Sequence, residues 1–304
     1  MTYPGGVWPV MLTPYTKENQ VDANALEALV NWYIGKGVSG LFSSCQSSEN
    51  HMLTLQERVL HTKTTVKAAA GRVPVVASGH VADDLQEQLR ELSSMAEAGA
   101  DAVILVTNHL AKPDESDAVW IKNLEWLMNR LDPSIHFGLY ECPHPYKRLM
   151  SEETLRFCAQ TGRFYFLKDT CCDAELIAKR VQWVQGTNLR LYNANATTVL
   201  DTLLSGAAGF SGIMANFHPE LYVWLTANPH HPNARAVQDI CSICSLIEGQ
   251  WYPVNAKYHL REIQGLPMEI LSRVRDWQGF TPTMRAEVHN LHRVAQDAYE
   301  RLCR

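Results

Sequence analysis

The chain has 304 residues, of which 46% are hydrophobic and only 19% charged, with a formal net charge of −5. That length accommodates one α/β barrel or two domains of about 150 residues, and a large core in either case. The weak negative charge, with basic residues in no longer runs than pairs such as Lys147-Arg148, argues against nucleic acid or an anionic membrane surface as partner.

The apolar runs alternate with amphipathic ones through the first two thirds of the chain. Val7–Leu12 reads as a first strand; Asp22 then opens a helix with apolar positions at Leu26, Leu29, Val30 and Tyr33. Gly40–Phe42 is the second strand, followed by a helix over 54–70, a third strand at Val73–Ala77 and a helix over 84–98. The cycle continues with strands at Ala102–Val106, Ile135–Tyr140 and Phe164–Leu167, and with helices at 116–131, after Ser151, and at 174–184. Leu189–Tyr192 and Gly209–Ile213 supply the seventh and eighth strands. Strands this uniformly apolar belong in a parallel sheet covered on both faces. Eight β/α repeats without a G-x-G-x-x-G fingerprint predict an α/β fold, a (β/α)8 TIM barrel, over residues 1–231. From Pro232 the strands stop, and residues 232–304 read as a C-terminal helical segment packed on the barrel.

No apolar stretch approaches the roughly 18 residues needed to cross a bilayer, and Met1–Gly6 lacks the pattern of a secretory leader. The eight cysteines are therefore expected as thiols in a reducing cytoplasm. Cys241 and Cys244 form a C-x-x-C, but no second ligand pair follows, and their spacing fits one buried helix face; no metal or cofactor is expected.

Catalytic groups of such a barrel lie at the C-terminal ends of its strands. The polar residues there are Ser43–Glu49, Asn108 and His109, Tyr140–His144, Lys168–Thr170, and Asn193 with Asn195. Lys168 ends an apolar run, so desolvation should leave more of its amine free to attack a carbonyl, although a strand-end lysine can also simply reach water. Taken in order, Leu12-Thr13-Pro14-Tyr15, Ser47-Ser48-Glu49, Gly71–Val75, Gly99-Ala100-Asp101, Leu139-Tyr140 with Pro143, Leu167-Lys168-Asp169, and Gly209-Phe210-Ser211 with Ala215-Asn216 resemble the dihydrodipicolinate synthase/N-acetylneuraminate lyase family of Schiff-base lyases.

The resemblance implies that Lys168 forms an imine with a 2-keto acid, Tyr140 is the acid/base phenol, and Gln46 and Ser47 hold the keto acid's carboxylate. His109, His144, Asn195 and Ser211 complete the expected substrate-binding set. It also implies a homo-oligomer, dimer or tetramer, which the low charged fraction favours. Tyr140 can alternatively be a core aromatic, and Ser47 a helix cap.

The departures from the family pattern bear on specificity. Gln46 stands where the family has a hydroxyl, and an amide cannot pass a proton as a hydroxyl does. Leu110 stands where a tyrosine reaches a neighbouring subunit, and Pro145 stands where synthases carry an arginine for a second carboxylate. These changes argue against lysine-biosynthetic activity and for aldol cleavage or dehydration of a hydroxylated, sugar-derived keto acid. Two other readings stay open: a catalytically silent keto-acid or sugar-acid binder, and a metal-dependent aldolase sensitive to chelators.

Overall fold

The computed structural model describes residues 3–303; Met1, Thr2 and Arg304 lie outside it. Eight parallel strands form one sheet: β1 (Gly6–Val7), β2 (Leu41–Ser43), β3 (Val75–Ala77), β4 (Ala102–Val106), β5 (Phe137–Tyr140), β6 (Phe164–Asp169), β7 (Arg190–Asn193) and β8 (Gly209–Phe210). Neighbours follow chain order, and β1 pairs with β8. The bridge Val10↔Phe42 closes the ring on the other side of the first segment. The fold is the TIM barrel expected.

The helices α1 (Ala23–Gly35), α2 (Leu55–Ala69), α3 (Leu85–Glu97), α4 (Asp117–Met128), α5 (Glu152–Gln160), α6 (Ala174–Trp183), α7 (Val199–Leu204) and α8 (Pro219–Ala227) alternate with the strands. Their starts are chemically specified. The Asp22 carboxylate accepts from the backbone N–H groups of Asn24 and Ala25, both at 3.0 Å, and Thr54 and Glu57 cap α2 reciprocally. Beyond the barrel lie α9 (Ala234–Cys244), α10 (Val254–Tyr258) and α11 (Pro282–Leu302), and Cys241 and Cys244 are buried on α9. Their apolar faces share one cluster with barrel residues, from Leu12 and Leu29 to Val237, Val288 and Ala295.

The first and last strands are shorter than their apolar runs suggest. Pro9 has no N–H to give a ladder, so after β1 only the bridge at Val10 remains. At β8 a Cβ on Gly209 would collide with the Gly6 carbonyl, so glycine permits the close approach that seals the barrel. The lumen is aromatic: Trp8, Phe42, Tyr140, Phe166 and Tyr192 pack together, with Phe166 stacked on Tyr192 at 4.4 Å between centroids.

Four buried imidazoles, those of His61, His80, His218 and His259, tie the fold to pH, and burial holds His259 well below its ordinary value. Burial lowers His61 from 6.5 to about 4, His80 to about 3 (with His109 adding to the effect) and His218 to about 3. The fold holds these rings neutral, whereas the unfolded chain protonates them near their ordinary value. Stability is therefore complete above about pH 6.5 and falls as the pH drops, by on the order of 2–3 kcal/mol per ring by pH 4. Melting curves from pH 7 to pH 4 should show a steep fall in Tm; a Tm that stays level over that range would contradict this account.

Candidate active site

Tyr140 ends β5 and is the direct register partner of Lys168 on β6. Side chains alternate along a strand, so these two share one face while their successors, Glu141 and Asp169, share the other. The second face is closed by Arg180 of α6, which bonds Glu141 at 2.9 Å and also pairs with Asp169, all three fully buried. Buried ion pairing on one side of the strand ends thus fixes the chemistry-bearing pair on the other.

Lys168 is 6% exposed, and its Nζ lies 4.2 Å from the centre of the Tyr140 ring. Among the described residues Nζ makes no hydrogen bond. Burial lowers its pKa, against the opposing pull of Cys45, Cys142 and Glu248. The lowered pKa leaves more of the amine in the form that attacks a carbonyl, and no hydrogen-bond partner among the described residues competes for it. Tyr140 donates its hydroxyl to Gln46 Oε1 at 3.0 Å, and burial holds its phenol well above the ordinary range. The Cys142 thiol donates to the same oxygen at 3.6 Å.

Gln46 and Ser47 stand on a turn built by their neighbours. Ser48 donates its hydroxyl to the Met11 carbonyl at 2.6 Å, and Thr13 donates to the Ser48 carbonyl at 2.6 Å. Glu49, with φ of 59°, turns back to meet Lys257 of α10 at 2.6 Å and the backbone N–H of Arg273 at 2.6 Å. The C-terminal segment thus braces the loop after β2.

A cavity of about 540 Å³ opens over Lys168, with Tyr140, Gln46, Ser47 and Asn195 on its wall. Those five are the expected residues that the fold brings together. His109 and His144 lie elsewhere, on a smaller cavity of about 190 Å³ that shares Gln46 and Tyr140 as its partition. His109 faces Asp83, with Nδ1 3.1 Å from the carboxylate, and His144 lies against His51. Ser211 donates to the Trp8 carbonyl at 2.9 Å and bonds the barrel wall. Asn108 donates to the carbonyls of Cys142, His144 and Tyr146, shaping the loop after β5, and Asn193 bonds Thr198 and Thr202. Leu110 is buried in the core beside β4.

The C-terminal segment adds residues that sequence reasoning did not reach. Glu248 and Tyr252 line the wall of the larger cavity, and Lys147 and Arg275 line it as well. Burial raises the Glu248 carboxyl to about 7, against the pull of Lys168, and its Oε1 is buried without a hydrogen-bond partner among the described residues.

A family model for the dihydrodipicolinate synthetase family matches residues 3–251. The chain belongs to that family. A 4-hydroxy-tetrahydrodipicolinate synthase of Roseobacter denitrificans is 30% identical over 216 residues, 71% of this chain and 72% of the relative. Among solved structures, the chloride-inhibited dihydrodipicolinate synthase of Acinetobacter baumannii, complexed with pyruvate, superposes with a TM-score of 0.85 at 21% identity, over 96% of this chain and 99% of that one. The sialic acid aldolase of Ruminococcus gnavus gives a TM-score of 0.86 at 17% identity, over 98% and 99%. Synthase and aldolase chains thus share this dihydrodipicolinate synthetase barrel, so the barrel alone does not choose between their reactions. No helix among the described residues is long and apolar enough to cross a membrane.

Proposed function

We propose that the chain is a class I lyase that forms an imine between Lys168 and a 2-keto acid, and cleaves or dehydrates a hydroxylated or sugar-derived substrate. The observation that carries this reading is the unpartnered, buried Lys168 amine at the base of a 540 Å³ cavity, held against Tyr140. Nζ attacks the keto carbon to give a carbinolamine, which loses water to the iminium. In cleavage the iminium takes up the electron pair of the Cα–Cβ bond as it breaks, leaving an enamine and an aldehyde. In dehydration it takes up the pair of an α C–H bond, and the enamine so formed expels the β-hydroxyl, which leaves with its bonding electrons and a proton as water. Tyr140 is the phenol placed to handle the proton of that step, while Gln46, Ser47 and Asn195 line the wall that holds the carboxylate and the hydroxylated tail.

No metal or cofactor takes part in this scheme. The working form is proposed as a cytoplasmic homo-oligomer, dimer or tetramer. The specific synthase reaction is disfavoured, because Gln46 accepts the Tyr140 proton but cannot relay it.

Hydroxylated 2-keto acids incubated with the protein should be consumed, with release of pyruvate and an aldehyde on cleavage, or of water on dehydration. Tyr140→Phe should lower turnover about 10²–10³-fold while Lys168 still captures pyruvate. A catalytically silent binder would instead show ligand-induced thermal stabilisation without turnover or imine, and that result would replace this reading.

A further inference from the structure

Tyr140 directs its proton to an acceptor that cannot hand it on, yet making and breaking an imine requires a proton to reach and leave the carbinolamine oxygen. Beyond Lys168, Tyr140 and the loop after β2, the cavity carries one further acidic side chain whose oxygen lacks a partner. Glu248 sits on the turn Ser245–Gly249 that follows α9 and joins Lys168 on the same cavity wall. Its Oε1 is buried and meets no donor among the described residues. Glu49, the other carboxyl on the wall, is engaged by Lys257, Ser272 and the Arg273 backbone. A half-buried carboxyl with one oxygen buried and unpaired, on the wall it shares with a nucleophilic amine, costs stability unless it is used.

We propose that Glu248 is the catalytic acid and base of imine chemistry on Lys168, a role resting on the Schiff-base reading above. In the forward step its carboxylic acid gives a proton to the carbinolamine hydroxyl. The carbon–oxygen bond breaks, water leaves, and the nitrogen lone pair forms the C=N bond, so the products are an iminium cation and the Glu248 carboxylate. In the return step that carboxylate takes a proton from water as its oxygen bonds the iminium carbon. The carboxylate formed in the first step also offsets the charge of the iminium. Tyr140 is left to serve the bond cleavage between the two steps.

The groups around Glu248 are Lys168 from β6, Tyr140 from β5, Tyr222 from α8 and Tyr252 from the following loop. Lys147, Arg275, Glu49 and Cys172 complete the charged and titratable wall. Burial raises the carboxyl to about 7, so it is present in both forms at neutral pH, as a group that alternates between acid and base requires. The acid form is lost as pH rises through that value, so the rate of imine formation should bend downward there.

The test is the time course of borohydride-trapped pyruvate adduct on the full chain, from pH 6 to 8.5, for wild type, Glu248→Gln and Glu248→Asp. We expect Glu248→Gln to slow imine formation about 100-fold, to lose the bend near pH 7, and to reach the same Lys168 adduct at long times. Glu248→Asp should recover part of the rate. Adduct formation by a folded Glu248→Gln at the wild-type rate and with the wild-type pH profile overturns the proposal and leaves the Schiff-base reading intact. A wild type that traps nothing on Lys168 overturns both. Should Glu248→Gln fail to fold, the wild-type profile decides: a bend near pH 7 supports the role, and its absence overturns it.

Discussion

Lys168→Ala is expected to lower turnover of every accepted keto acid by about 10⁴-fold or more, with little change in fold. The size follows from what is removed: a covalent nucleophile cannot be replaced by the remaining wall, which can only bind and polarise, and deleting nucleophiles elsewhere costs up to about 10⁶-fold. The small structural effect follows from the geometry. Among the described residues Lys168 Nζ has no hydrogen-bond partner to strand, and what the truncation removes is contact with the face of the Tyr140 ring. The truncation also frees the neighbouring thiols and Glu248 from the amine's charge. A Lys168→Ala chain with unchanged Tm and no turnover fits the account; retained turnover would place the chemistry elsewhere. Steady-state kinetics beside a melting curve makes the distinction.

Arg180→Ala should be the most damaging single change to the fold among the residues that frame the site. It strands two fully buried carboxylates, Glu141 and Asp169, that share one guanidinium. Breaking a buried pair by removing one partner costs about 3–5 kcal/mol, a large part of the 5–15 kcal/mol that stabilises a typical domain. Burial and the nearby Asp169 already push Glu141 up to about 7, against the pull of Arg180. Without that guanidinium, Glu141 would fold as the neutral acid. Protonating it is easy at low pH and costly at high pH, so the loss of stability should be greater at pH 8 than at pH 6. Replacing all three together, as Glu141→Gln, Asp169→Asn and Arg180→Met, should restore much of the Tm. Thermal melts of the single and triple variants at both pH values check this. Activity should fall with Arg180→Ala as well, because Tyr140 and Lys168 immediately precede the two carboxylates along their strands.

The strands and their order were legible because near-continuous apolar runs separated by capped amphipathic helices admit few arrangements other than a barrel. Lengths were less so: the run Val7–Leu12 is interrupted at Pro9, and α11 begins at Pro282 behind its Thr281 cap, four residues before its apolar pattern becomes regular. Lys168 and Tyr140 were legible because both end strands, and period-two alternation decides which way a strand-end side chain faces. His109 and His144 also follow strands, but the loop braced by Asn108 carries them to the far side of Gln46 and Tyr140. That placement is set by Asn108 donating to the Cys142, His144 and Tyr146 carbonyls, a tie between two loops more than 30 positions apart that neither local pattern shows. Glu248, Tyr252 and Arg275 were illegible for a related reason. The tail reads as helical by periodicity, and which of its turns returns over the barrel mouth depends on ties such as Lys257 to Glu49, across 208 positions of sequence.

The most direct test of the central claim is borohydride reduction in the presence of pyruvate, read by intact mass and peptide mapping on wild type and Lys168→Ala. The account predicts one reduced adduct per chain, located on Lys168 and absent from the variant. No adduct with pyruvate or with a panel of longer keto acids, or an adduct that maps to another lysine such as Lys147, would contradict it.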